Sequence, residues 1–130
     1  MRLAIARRAQ SDLFEAGIAD KLISASGGVM RYLIGLVQEA ALNASGRGAM
    51  RIEDRDAERA ISEVRKDFEA ALHSDDYPYL ARRHEDHLLS SDDQLQGLLR
   101  LRALLEYENG GTWCEVHPVA LPLVERRNKP

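Results

Sequence analysis

The sequence has little of what would place it in several large classes of protein. Its single cysteine, Cys114, excludes an internal disulfide and fits a reducing cytoplasm. It has no run of about 18 apolar residues, and its first residues predict no secretory signal. The net charge is -3, so the chain does not have the excess of basic residues that is typical of a dedicated nucleic-acid binder. We therefore expect a cytoplasmic protein that neither spans a membrane nor depends on nucleic acid.

Catalytic constellations are missing as well. No nucleophile has a base beside it, and no acid–base pair can be assembled from neighbouring residues. His84 and His87 lie three residues apart, which is not the spacing of H-E-x-x-H, and two further metal ligands would have to come from elsewhere. We expect a solvated charged helix there, and we expect Cys114 to be a small core residue. The chain is therefore not expected to be an enzyme by itself.

What the sequence does contain is helical periodicity, followed by a single β-hairpin. Apolar residues recur at helical spacing over residues 3–9, 12–25, 28–44, 54–72, 79–89 and from about 92 to 102. The spacing of Asp12 with Glu15, and of Ser91 with Gln94, is typical of a capping box at a helix start. These patterns predict five or six helices.

The period then changes from about 3.6 to 2, which indicates strands. Residues 106–108 and 112–116 flank Asn109-Gly110-Gly111, a strong signal for a hairpin turn. Placing Asn109-Gly110 at the turn predicts that Leu105 lies opposite Cys114 and that Trp113 shares a face with the glutamates. Pro118 and Pro122 are expected to end strand pairing, and residues 125–130 are expected to be a charged tail.

The segment from Ser74 to Pro78 marks the predicted internal boundary. Residues 1–75 are predicted to form a helical bundle. Residues 76–130 contain two helices, a hairpin and a tail, the layout of a small winged-helix-like unit. The predicted fold class is therefore mainly α, with a helical bundle followed by a winged-helix-like unit that carries one β-hairpin.

The most informative segment is Ser26-Gly27-Gly28-Val29-Met30-Arg31, which opens the third predicted helix. Arg31 lies about 200° around the helix from Val29, nearly opposite the apolar stripe. Gly27 and Gly28 allow a sharp turn and the close approach of another surface. An arginine presented away from its own core suits a phosphate outside the chain, although an ordinary surface arginine has the same spacing.

These residues resemble the helical lid of AAA+ ATPases, and the whole chain is similar to the C-terminal portion of a bacterial member. Residues 26–33 resemble the "sensor 2" element, in which glycines precede an arginine and an apolar helix. Residues 14–23 look like the preceding lid helix, and residues 52–61 look like the last lid turn and helix. In origin-recognition initiators of this superfamily a winged-helix unit follows the lid, as residues 77–118 are predicted to do here.

The resemblance implies that Arg31, with Gly27 and Gly28, meets the γ-phosphate of ATP bound to a preceding nucleotide-binding domain. The chain has no G-x-x-x-x-G-K-[ST] loop and no apolar strand that ends in magnesium-binding acids, so it is not expected to hydrolyse ATP on its own. The outward Ile34 and Leu42 would be covered by that domain of the parent ATPase. Without it, the chain could self-associate through them.

Two other functions remain open. In the first, the chain is a free-standing adaptor, Arg31 is incidental, and Trp113 binds another protein. In the second, it is a winged-helix DNA-binding regulator. Asp92 and Asp93 argue against the second, because they begin the would-be recognition helix where DNA phosphates would repel them.

Overall fold

The computed structural model describes residues 13–127, which contain six helices and one two-stranded antiparallel sheet. The helices are α1 (Ile18–Ala25), α2 (Met30–Gly46), α3 (Asp54–Ala71), α4 (Asp76–Asp86), α5 (Asp93–Leu101) and α6 (Leu121–Arg127). The strands are β1 (Leu104–Glu108) and β2 (Thr112–Val116). The predicted fold class, mainly α with one β-hairpin, is confirmed. None of these helices is long and apolar enough to cross a membrane. The helix predicted at residues 3–9 lies outside the described residues.

The chain divides into two compact units, and the division lies inside α3, between Val64 and Arg65. The predicted boundary lay later, between residues 75 and 76. The segment used for that prediction is a turn between α3 and α4. A turn between helices is rich in turn-forming residues and can be predicted from them, whereas a division within a continuous helix involves no such residues.

In the first unit, α1, α2 and the first half of α3 bury apolar side chains at helical spacing. The buried positions include Leu22, Leu33, Leu36, Ala40, Ala57, Ala60 and Ile61. This spacing is the one that the sequence predicts for one face of each helix.

The start of α1 differs from the predicted helix at residues 12–25. Phe14 is buried and forms an isolated parallel bridge with Ile52. The Glu15 N–H donates to the Ile52 carbonyl at 2.9 Å, and the Ile52 N–H donates to the Leu13 carbonyl at 2.8 Å. The chain is therefore extended at Phe14, and α1 begins only at Ile18, after Gly17 with a φ of 81°.

In the second unit, α4 packs against β2 and α6, and α5 packs against β1. Its buried side chains include Phe68, Leu80, Leu95, Leu98, Leu104, Val116, Val119 and Val124. The predicted tail at residues 125–130 is wrong for its described part, since α6 covers Leu121–Arg127. Pro78 lies in the first turn of α4 and Pro122 in that of α6. A proline is tolerated there because those N–H groups have no partner within the helix.

The hairpin register differs by one residue from the prediction. Leu105 pairs with Glu115, Glu106 pairs with Cys114, and Tyr107 pairs with Trp113. The turn uses three residues, Asn109, Gly110 and Gly111, rather than two. A shift of one residue moves each side chain of a strand relative to its partners, so Trp113 shares its face with Tyr107.

Gly111 gives this turn a testable signature, because its φ of 127° is strained for every other residue. Gly111→Ala is expected to lower the free energy of unfolding by about 1–3 kcal/mol. Gly97→Ala in α5 is the matched control: an added Cβ meets nothing within 4 Å, and helix propensity predicts a gain of about 0.5–1 kcal/mol. Urea unfolding of both variants measures the difference. Equal effects would contradict the turn geometry.

Candidate functional site

The turn before α2 is held by one buried hydroxyl. The Ser26 side chain donates to the Ile23 carbonyl at 2.6 Å and accepts from the Gly28 N–H at 3.2 Å. Gly27 and Gly28 both have positive φ, 65° and 82°. Both glycines lie outside the helix, so α2 begins at Met30 rather than at the predicted residue 28. The glycines thus provide the sharp turn that the sequence predicts.

Arg31 lies in the first turn of α2 and is exposed. It makes no hydrogen bond or ion pair with any other residue between 13 and 127. Val29 is the N-cap residue, and no side chain among residues 13–127 caps this end of the helix. A helix N-terminus carries partial positive charge, and the guanidinium adds a permanent one. The guanidinium and the helix N-terminus therefore both contribute positive charge at this end of α2.

Uncovered apolar side chains lie on α2 with Arg31. Met30 and Ile34 are one turn apart and are 49% and 46% exposed. Leu42 is 67% exposed and lies toward the C-terminal end of the helix. Ile34 and Leu42 are thus at the surface, and Ile34 is the nearer of the two to Arg31 along the helix.

Trp113 is half-buried within the hairpin. Its ring stacks on Tyr107, with centroids 4.7 Å apart, and the His87 ring meets its edge at 5.9 Å. Such aromatic pairs stabilise local packing. The ring is therefore partly engaged in its own unit, and less of it is available to another protein than the sequence predicts.

Two histidines converge on one carboxylate beside this ring. His84 Nδ1 lies 2.8 Å from Glu115 Oε1, and His87 Nδ1 lies 3.4 Å from Glu115 Oε2 and 3.0 Å from the Cys114 carbonyl. The cluster depends on the packing of α4 against β2, which the sequence does not predict. In the part of the chain that the structure describes, no group of three or more His, Cys, Asp or Glu side chains is placed to hold a metal ion.

The Cys114 thiol is buried. Its Sγ donates to the Leu88 carbonyl at 3.4 Å, and burial raises the pKa of the thiol. A thiol that stays protonated is a poor nucleophile. Cys114 therefore packs as a small side chain, as we expect from the sequence.

A second charged cluster, in the first unit, is one that sequence reasoning missed. Arg47 Nε and a terminal nitrogen bind the two oxygens of Asp56 at 2.8 and 2.5 Å, and the same terminal nitrogen lies 2.8 Å from Glu53. The Asp56 carboxylate is only 2% exposed and also accepts from the Glu53 N–H at 2.9 Å. The Arg47 guanidinium holds the pKa of Asp56 at about 2, so this buried carboxylate stays ionised.

Comparison with protein-family models, with curated proteins and with solved structures finds no match for this chain.

Proposed function

We propose that this chain is the nucleotide-sensing lid and C-terminal interaction unit of a AAA+ ATPase, with Arg31 contacting the last phosphate of bound ATP. One observation carries the proposal: Arg31 is an exposed guanidinium without a partner among residues 13–127, in the first turn of a helix that begins two residues after a two-glycine turn. Such an arrangement does nothing for the stability of the described chain, which favours a ligand from outside it.

The chemistry of the proposed contact is simple. A guanidinium is planar and permanently charged, and it can donate two parallel hydrogen bonds to phosphate oxygens. The N-terminal end of α2 adds favourable partial charge at the same place. Loss of the γ-phosphate on hydrolysis removes the acceptor, so the lid would close on ATP and relax on ADP.

The uncovered apolar residues support the same proposal. Met30 and Ile34 lie within one turn of Arg31 and are each about half exposed. A nucleotide-binding domain that reaches Arg31 would also cover them, which removes their apolar surface from water. This nucleotide-binding domain is the partner that we propose, and we propose that the ATPase is cytoplasmic. The second unit would contact the substrate on which the ATPase acts.

The two other functions are less well supported. Trp113 is half-buried against Tyr107, which weakens the hypothesis of an adaptor anchored on that ring. The start of α5 is acidic, and Asp92 there already accepts from the Leu95 N–H and the Tyr79 hydroxyl. An ionised carboxylate at that position opposes contact with DNA phosphates.

The test is Arg31→Ala in the protein that carries the ATPase domain. We expect ATP hydrolysis to fall by about 100-fold while nucleotide still binds, because a charge-stabilising donor at the reacting phosphate is lost. Arg31→Lys should recover only a part, since it cannot bind two oxygens in one plane. Arg100→Ala, an exposed arginine on α5, is the matched control. Hydrolysis at the level of the control would contradict the proposed role.

A further inference from the structure

Beyond nucleotide sensing, the first unit has an open cleft between the C-terminal end of α2 and the start of α3. It has a volume of about 530 Å³. The residues that line it are Leu42, Asn43, Gly46, Arg47, Arg55, Asp56 and Arg59. Arg31 is not among them, so this cleft is distinct from the proposed nucleotide contact.

Two of the arginines that line the cleft have no close carboxylate partner among the described residues. Arg47 is already bound to Asp56 and Glu53, as described above. On another side of α3, Lys21 pairs with both Asp54 and Glu58. Hydrogen bonds to these two acids raise the pKa of Lys21, so the lysine keeps its charge. Every acidic side chain of the first two turns of α3 thus already has a cation.

Arg55 and Arg59 are those remaining cations, one helical turn apart on α3. Arg55 has a 68% exposed side chain and reaches Glu53 only at 3.9 Å. Arg59 is exposed and forms no hydrogen bond or ion pair with another described residue. Arg55 also lies in the first turn of α3, where the helix dipole disfavours a positive charge. Neither arginine is explained by the stability of the fold.

We propose that this cleft binds an acidic segment of a partner protein, with two carboxylates on Arg55 and Arg59 and an apolar side chain on Leu42. Charge complementarity favours a carboxylate ligand, since Arg–carboxylate pairs are bidentate and directional. Leu42, 67% exposed on the wall of the cleft, offers an apolar contact beside the charges. A nucleic acid is disfavoured, because two arginines one helical turn apart do not form the extended basic surface that follows a phosphate backbone.

The direct test is fluorescence anisotropy with a fluorescein-labelled peptide of glutamates that carries one central leucine, titrated with the whole chain. Arg55→Ala and Arg59→Ala should each weaken binding by about tenfold, and Leu42→Ala by roughly threefold. Arg100→Ala on α5 is the charge-matched control for the alanine variants, and Arg100→Glu is the control for Arg59→Glu; both should leave binding unchanged. Binding should weaken as salt is added.

Several outcomes would overturn the proposal. One is that Arg59→Glu binds the peptide as tightly as the wild-type chain does. Another is that the Arg100→Glu control weakens peptide binding as much as Arg59→Glu does. Competition by inorganic pyrophosphate or a single-stranded oligonucleotide at concentrations equal to those of the unlabelled peptide would show a phosphate site instead. Amide shifts in nitrogen-15 spectra give an independent check, because the peptide should move the signals of Gly46 and Asn43 in the wild-type chain. None of these results depends on Arg31, so the nucleotide proposal stands or fails separately.

Discussion

Arg47→Ala is expected to lower the free energy of unfolding by about 2–3 kcal/mol. Within the described part of the chain, the substitution leaves the Asp56 carboxylate, 2% exposed, with only the Glu53 N–H as a charge-stabilising donor. Loss of one partner from a fully buried ion pair costs about 3–5 kcal/mol. Arg47 is partly exposed, so water can replace some of its contacts, and we take a lower value. Urea unfolding followed by far-ultraviolet circular dichroism measures the change.

A double variant and a pH series are the controls for this prediction. Arg47→Ala with Asp56→Asn should recover part of the loss, because the remaining amide carries no charge. The pKa of Asp56 is about 2 in the folded chain, below its ordinary value of 3.8. Its stabilisation is therefore present above about pH 4 and is lost as the pH falls from 4 through 2. If Arg47→Ala shows the same pH dependence as wild type over this range, the ion pair does not contribute as described.

We also expect the chain to lose about 2 kcal/mol of stability between pH 7 and pH 5 because of His117. Burial lowers the pKa of this histidine from 6.5 to about 4. Between these two values the unfolded chain binds a proton that the folded chain does not bind. The free energy of unfolding therefore falls as the pH falls through this range. Trp113, the single tryptophan, lies in the same unit and serves as the fluorescence probe.

His117→Asn separates this effect from the other titrating groups. His117 Nδ1 accepts from the Val119 N–H at 3.1 Å, and the asparagine oxygen can accept the same hydrogen bond. The ring also lies 5.1 Å from the Phe68 ring, so some packing is lost at every pH. We expect the variant to be less stable at pH 7 but to lose about 2 kcal/mol less than wild type on going to pH 5. Parallel curves for the two proteins would show that His117 is not the group responsible.

The sequence predicts a helix where apolar residues recur at helical spacing over a long stretch, but it does not predict where the helix begins and ends. The stripe on α2 predicted both its buried face and the outward direction of Arg31, because helical geometry is local. The start of α1 depends on the bridge between Phe14 and Ile52, a pairing between distant parts of the chain. The sequence does not predict α6, because Pro118 and Pro122 indicate breaks, although Pro122 lies in a helical first turn.

The hairpin shows how a correct element can carry an incorrect register. Asn109-Gly110 is a strong signal for a two-residue turn, but the following Gly111 also adopts a positive φ and joins the turn. This one-residue shift places Trp113 opposite Tyr107. The charged clusters were equally hidden, because the pairing of Lys21 with Asp54 and Glu58 depends on how α1 and α3 are packed.

The proposed role of Arg31 in a AAA+ ATPase is tested most directly by the mass of the native protein. An antibody against this chain would isolate the protein from its source cells, for intact mass measurement and peptide sequencing. We predict a mass well above that of the 130-residue chain and peptides that contain a G-x-x-x-x-G-K-[ST] loop. A native protein with only the mass of these 130 residues would contradict the account.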